Sequence, residues 1–149
     1  GKAAGVAGAF VAAEQVVIDT LLQGARSYIY TTASPPALAH ALLISLELVR
    51  QGEERRARLR ARIALLREGL AGLPWQLADS STPIQPLLIG DSHEAVAVAT
   101  QLKTCGIWAP AIRPPTVPDG TARLRISLSA AHSEQDVEQL IRNLHEFAR

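Results

Sequence analysis

Between residues 133 and 147 the apolar positions Val137, Leu140, Ile141 and Leu144 recur at the spacing of one helix face. Ser133 stands just before them with a side-chain oxygen for the free amides of a first turn, so the pattern predicts a closing amphipathic helix. The same period runs through Leu59, Ile63, Leu66 and Leu70, an apolar stripe on a segment otherwise crowded with arginine and glutamate. Further upstream, Ser34 followed by Pro35 and Pro36 predicts a helix start, because serine caps free amides and proline already has helical φ. Leu38, Leu42, Leu43, Leu46 and Val49 continue that helix, and Gly52 permits a break before the next. The run from Pro36 to Val49 is the longest apolar stretch of the chain. It is too short to span a bilayer and holds His40 and Glu47, so it is expected to be a buried helix.

Elsewhere the periods differ. Gly5 to Ala13 reads as a tight glycine loop entering a buried strand, and Gln15 to Leu22 as a short helix closed by Gly24. The stretch RSYIYTTASPP follows as a hydroxyl-rich loop. After Gly72 the pattern becomes that of a small α+β unit. Trp75–Ala78, Ile84–Ile89 and Ile107–Ile112 are expected strands, and Ser92 to Thr104 an expected helix opened by an Asp91/Glu94 capping box and stopped by Gly106. RPPTVPDG must be a loop, since its three prolines break both helix and ladder. Ala122–Leu128 alternates Leu124, Ile126 and Leu128 against Arg123, Arg125 and Ser127, which puts the two arginines on one face. The expected division is 1–50, a connecting helix at 51–72, and a small α+β domain at 73–149, with α/β and α+β character overall.

Composition narrows the function classes. A chain of 149 residues with 48% apolar residues and a net charge of +1 is neither disordered nor a strongly basic nucleic-acid binder. The lone Cys105 rules out an internal disulfide framework and fits a reducing compartment. His40, His93, His132 and His145 lack any metal-ligand spacing, so no metal is expected. There is no leader pattern and no Met, and the chain is expected to begin at a cut or an internal boundary.

Lysine is scarce here: Lys2 and Lys103 stand against thirteen arginines. Lys2 lies among Gly1, Ala3, Ala4 and Gly5, small neighbours that let a planar cofactor approach an amine nucleophile, although an exposed terminal lysine is the plainer reading. Arg123 and Arg125 on a strand suit bidentate recognition of a carboxylate, against the alternative of surface ion pairs. Thr31, Thr32 and Ser34 ahead of a helix N-terminus suit a phosphate, against simple turn hydrogen bonds. RRARLRAR at 55–62 suggests nucleic acid only until Glu53, Glu54 and Glu68 are noticed nearby, which fit a solvated, charge-paired helix face.

GKAAGVAGAF, YIYTTASPPA and AIRPPTVPDGTARLRISLSAAH, in this order and at these separations, resemble the α-oxoamine synthases. These are pyridoxal-phosphate enzymes of the aspartate-aminotransferase fold type. The resemblance runs through the whole chain and corresponds to the C-terminal part of the family's proteins, with a small antiparallel sheet flanked by helices. It implies that Lys2 matches the lysine that carries pyridoxal 5'-phosphate, Thr32 the threonine that reaches the cofactor phosphate from the partner subunit, and Arg125 the arginine that holds the amino-acid carboxylate. Ala4 departs from the aromatic residue or leucine usual there, Arg113 marks a subgroup as a candidate substrate contact, and Arg123 has no assigned role.

IRPPTVP resembles the subgroup that joins L-alanine to a pimeloyl thioester, on coenzyme A or a carrier protein, in biotin biosynthesis. Relatives using glycine with acetyl or succinyl thioesters are the alternative within the family. A non-catalytic module binding a partner through the arginine helix is the alternative outside it. The resemblance further implies a cytoplasmic homodimer, no nucleic-acid or membrane partner, and a transferase in which Lys2 takes the amino-acid α-proton. In the family the carboxylate at the cofactor's ring nitrogen and the stacking histidine precede Gly1. The isolated segment is therefore expected to be inactive and, with apolar helix faces exposed, to self-associate.

Overall fold

The computed structural model describes residues 1–148. The chain runs α1 (Gln15–Gly24), α2 (Pro36–Arg50), α3 (Glu53–Gly69), β1 (Gln76–Leu77), β2 (Ile84–Gly90), α4 (Ser92–Thr104), β3 (Ala111–Ile112), β4 (Ala122–Ser127) and α5 (Glu134–Phe147). It falls into two units, Gly1–Gly52 and a second that begins at Glu53. Among the described residues no helix is long and apolar enough to cross a membrane.

The first unit holds α1 and α2, and neither helix buries a residue. This corrects the expectation of a buried helix at 36–49: Leu43, Leu46 and Val49 are all exposed. Periodicity names the apolar face of a helix, but only a partner can cover it. The strand expected within Gly5–Ala13 is also absent, and Phe10 and Val11 are exposed. A continuous apolar strand needs neighbours on both sides, and the first unit contains no strand to pair with it. Ser34 does not cap α2. The N-cap position is Pro35, one residue later, and no side chain bonds the free amides.

In the second unit an antiparallel sheet of order β1-β2-β4-β3 is packed on one face by helices. The register Gln85↔Ile126, Pro86↔Arg125, Leu87↔Leu124 and Leu88↔Arg123 follows from alternation. It gathers Gln85, Leu87, Leu124 and Ile126 on the buried face and Pro86, Leu88, Arg123 and Arg125 on the other. The stripe of α3 behaves as its spacing predicts, with Ile63, Leu66 and Leu70 in the core and Leu59 packed at its edge. Val137, Leu140 and Leu144 of α5 complete that core, each large aliphatic side chain contributing about 1.5–3 kcal/mol by burial.

Polar contacts fix the ends of these elements. Ser133 and Asp136 form a full capping box at α5, with Ser133 N–H donating to Asp136 Oδ2 at 2.7 Å and Asp136 N–H to Ser133 Oγ at 3.1 Å. Only half of the expected box opens α4. Asp91 accepts from Glu94 N–H at 2.8 Å, whereas the Glu94 carboxylate accepts from Trp75 Nε1 at 2.8 Å. Arg62 ties α3 to the start of α5 through Glu134 at 2.7 Å and the His132 carbonyl at 3.1 Å.

The third strand is shorter than Ile107–Ile112. Pro110 accepts from Arg125 N–H at 2.9 Å but has no N–H to return, so pairing stops there and Trp108 upstream stands exposed.

Candidate functional site

The β3–β4 hairpin presents three arginines. Arg125, central on β4 and opposite Pro86, is exposed, and Arg123, opposite Leu88 on β2 and Ile112 on β3, is half-buried. Arg113 follows β3 directly and is exposed. The flanking Leu124 and Ile126 are buried on the opposite face, and this anchorage holds Cα of Arg123 and Arg125 in fixed register about 6.6 Å apart. Among the described residues the only hydrogen bond of the Arg123 guanidinium is from Nε to the Thr121 carbonyl at 2.9 Å, and Arg125 has none from its side chain. An unpaired guanidinium on a strand whose backbone is held in register can hold a carboxylate.

In the first unit, Lys2 lies in a turn closed by Gly5 N–H donating to the Lys2 carbonyl at 2.9 Å, and its side chain is exposed. The turn needs Gly5, whose φ of 73° is left-handed. Within this unit no neighbouring side chain encloses the amine, so the desolvated setting that the small residues permit is not supplied by the unit's own contacts.

Thr32 is also exposed, in the loop between α1 and α2. Tyr30, two residues earlier, has φ 63°, a left-handed conformation that a bulky side chain adopts at a cost of about 1–3 kcal/mol. This outlier turns the chain immediately before the two threonines, and neither periodicity nor composition signals it. Thr31 donates its hydroxyl to the Ser27 carbonyl at 3.1 Å, a local turn bond. Among the described residues the Thr32 hydroxyl has no hydrogen-bond partner. No acidic residue occurs between Asp19 and Glu47, and the first turn of α2 has no side-chain cap. Lys2, ahead of α1, offers a primary amine of the type that takes an aldehyde, and the acid-free loop before α2 separately offers a hydroxyl and uncapped amides of the type that take a phosphate.

Each unit also has an open cleft of about 500 Å³, one lined by Trp108, Ile126, Leu128 and His132 and the other by Phe10, Ile18 and Tyr28; neither includes Lys2, Thr32 or Arg125. The arginines of α3 are engaged differently from those of the hairpin. Arg56 and Arg60 pair with Glu53 and Arg58 with Glu54, at 2.6–2.9 Å, which is the solvated helix face expected from the acids nearby. The Arg60 and Arg56 guanidiniums hold the Glu53 carboxyl below its ordinary value.

Residues 1–144 match the family model described as aminotransferase class I and II. A relative from Nitrosomonas eutropha, named 8-amino-7-oxononanoate synthase, is 62% identical over 148 residues, which cover 99% of this chain and 38% of the relative. One of the same name from Dechloromonas aromatica is 61% identical over 148 residues, with the same coverage. The chain thus spans little more than a third of the length of these relatives.

Among solved structures, serine palmitoyltransferase of Sphingomonas wittichii superposes with a TM-score of 0.77 at 27% identity, covering 87% of this chain and 33% of that one. The 8-amino-7-oxononanoate synthase of Francisella tularensis superposes with a TM-score of 0.76 at 28% identity, covering 89% and 38%. The expected fold type, helices about a small antiparallel sheet, is borne out by these superpositions and by the sheet itself. With the family model matched from Gly1 to Leu144, this chain belongs to the class I and II aminotransferase family.

Proposed function

We propose that this chain serves a pyridoxal-phosphate-dependent, decarboxylative condensation of L-alanine with a pimeloyl thioester, giving 8-amino-7-oxononanoate for biotin biosynthesis. The observation that carries the reading is identity of about 60% along essentially the whole chain to relatives bearing that synthase's name. The free hydroxyl of Thr32, the amine of Lys2 and the unpaired guanidinium of Arg125 agree with it.

In this reading Lys2 Nζ would hold the cofactor aldehyde and would accept the proton from the alanine Cα. Thr32 would donate its hydroxyl to the cofactor phosphate of the neighbouring subunit in a cytoplasmic homodimer. Arg125 holds the alanine carboxylate and orients the Cα–H bond until carbon dioxide leaves. Bound pyridoxal phosphate supplies the electron sink that makes the Cα proton acidic. A bond forms between the alanine Cα and the acyl carbonyl carbon as the thioester C–S bond breaks, the carrier leaves as its thiol with the proton taken from Cα, and when the bond to carbon dioxide breaks Cα takes up one proton from solvent.

The test uses a full-length protein carrying this sequence. Borohydride reduction in the presence of pyridoxal phosphate is expected to add a pyridoxyl group to Lys2, located by peptide mass, and Lys2→Ala is expected to lose both that label and turnover. Alanine with pimeloyl thioester is expected to exceed glycine with acetyl or succinyl thioester in kcat/KM. The opposite order would assign the chain to another branch of the α-oxoamine synthases, and a label elsewhere than Lys2 would refute the role of that residue.

A further inference from the structure

Arg56, Arg58, Arg60 and Arg62 of α3 all end on glutamates. Arg113, Arg123 and Arg125 of the hairpin have no carboxylate partner among the described residues. The acids closest in sequence do not supply one, since Asp119 in the connecting loop makes no ion pair with a described residue and Asp91 is engaged in capping α4. The rest of the face that carries Arg123 and Arg125 is uncharged: Pro86 and Leu88 on β2 and Ile112 on β3. Two guanidiniums carried on the same strand face two residues apart are like charges, and an anion bound between or beside them relieves their repulsion.

Arg123 differs from Arg125 in being pre-set. Its Nε donates to the Thr121 carbonyl, and Thr121 is itself held to the Pro118 carbonyl through its N–H at 3.2 Å and its hydroxyl at 2.7 Å. With Nε satisfied, the donors left on the guanidinium are the paired terminal nitrogens, Nη1 and Nη2, whose fork geometry matches two oxygens of one anionic group. Half-buried Leu88 and Ile112 on the neighbouring strands offer apolar surface for a hydrocarbon chain leading to that group. An anion on an alkyl tether fits these surroundings better than a hydrated inorganic ion does.

We propose that Arg123 is a specificity-determining residue that binds the terminal carboxylate of the acyl substrate through Nη1 and Nη2, leaving Arg125 to the carboxylate of the amino acid. This rests on the condensation proposed above, which brings two carboxylates to one site. The phosphates of a coenzyme A carrier share the same anionic chemistry, and the experiment separates the two sources.

In a full-length protein carrying this sequence, steady-state rates are measured with L-alanine and four thioesters: pimeloyl and heptanoyl, each on coenzyme A and on the uncharged N-acetylcysteamine. For Arg123→Leu, KM for the pimeloyl thioesters is expected to rise roughly 10- to 100-fold on both carriers, as for loss of a charge-assisted hydrogen-bonded pair. KM for alanine and kcat/KM for the heptanoyl thioesters are expected to stay within about twofold, and Arg123→Lys to recover part of the loss.

Equal losses for pimeloyl and heptanoyl thioesters would reduce Arg123 to a structural brace and overturn the proposal. Losses confined to coenzyme A thioesters would move the anion to the carrier and also overturn it. Wild-type inhibition by free carboxylates, competitive with the acyl thioester, needs no variant to fold: pimelate is expected to bind at least tenfold better than heptanoate, and equal binding would overturn the assignment. A wild-type protein that turns over no thioester with alanine would refute the condensation itself, whereas normal turnover with an unchanged pimeloyl-to-heptanoyl ratio in Arg123→Leu would refute only the role of Arg123.

Discussion

Gln85 is the one buried polar side chain among the described residues, with no exposed surface, and its hydrogen bonds are complete. Its Oε1 accepts from Arg67 Nη1 at 2.8 Å, and its Nε2 donates to the carbonyls of Ser80 at 2.9 Å and Thr82 at 2.7 Å. Arg67 reaches the same loop, donating to the Ala78 carbonyl at 3.1 Å and the Ser80 carbonyl at 3.3 Å. Replacing Gln85 with leucine removes one charge-assisted bond of about 1.5–3 kcal/mol and two neutral ones of about 1 kcal/mol each. Part of this is offset, because Arg67 and the Ser80 carbonyl keep each other as partners. Gln85→Leu is therefore expected to destabilise the second unit by about 2–4 kcal/mol.

Gln85→Glu sharpens the test. A carboxylate gains an ion pair with Arg67 but cannot donate to the Ser80 and Thr82 carbonyls, and it places negative charge against them. A similar loss of about 2–4 kcal/mol is expected at pH 7. Urea unfolding followed through the fluorescence of Trp75, which is buried in the core, reads the change. With a slope of about 1–3 kcal/mol per molar urea, the midpoint is expected to fall by roughly 1–2 M at constant slope. A glutamate variant as stable as wild type would show that the Arg67 charge, not the pair of donated amides, controls this site, and would refute the reasoning.

Leu66→Ala, at a fully buried position of α3, is expected to cost about 2–5 kcal/mol in the same assay, and a cost below about 1 kcal/mol would mean that the stripe is not seated in the core. Trp75→Phe removes the bond to the exposed Glu94 carboxylate and is expected to lower stability by about 1 kcal/mol; Glu94→Gln, which keeps an acceptor, is expected to lose less. The Asp136 carboxyl is held below its ordinary value of 3.8, first by the Ser133 backbone N–H, then by the Ser133 hydroxyl, with a smaller contribution from His132. A depressed carboxylate stabilises the fold above the unfolded value and loses that contribution as pH falls through the folded one. The stability gap between wild type and Asp136→Ala is therefore expected to be full at pH 7 and to narrow below pH 3.8, and a gap independent of pH would refute the charged cap.

Much of the second unit is legible in the sequence because its signals are local. The four-three-four spacing of Leu59, Ile63, Leu66 and Leu70 names the inner face of α3, and alternation at 122–128 names the inner face of β4. Ser133 with Asp136 and Asp91 before α4 mark helix starts by chemistry that acts within three residues. The proposed site residues Lys2, Thr32 and Arg125 are legible only through motif resemblance. As isolated side chains, a lysine among glycines or an arginine on a strand has an ordinary surface explanation.

What the sequence determined, then, is much of what depends on neighbours a few residues away: helix periods, strand alternation, the caps by Asp91 and Ser133, proline breaks and the motifs that place the chain in its family. Tertiary structure decided the rest. It left the 36–50 helix uncovered and the 5–13 segment without a strand, because burial and pairing require partners that periodicity cannot supply. It gave Glu94 to Trp75 in place of a second capping bond. It also sorted the arginines, pairing Arg56, Arg58, Arg60 and Arg62 of α3 with glutamates and leaving those of the hairpin without counter-charges among the described residues, since a charge is neutralised by what lies near it in space and sequence order alone does not say which acid that is.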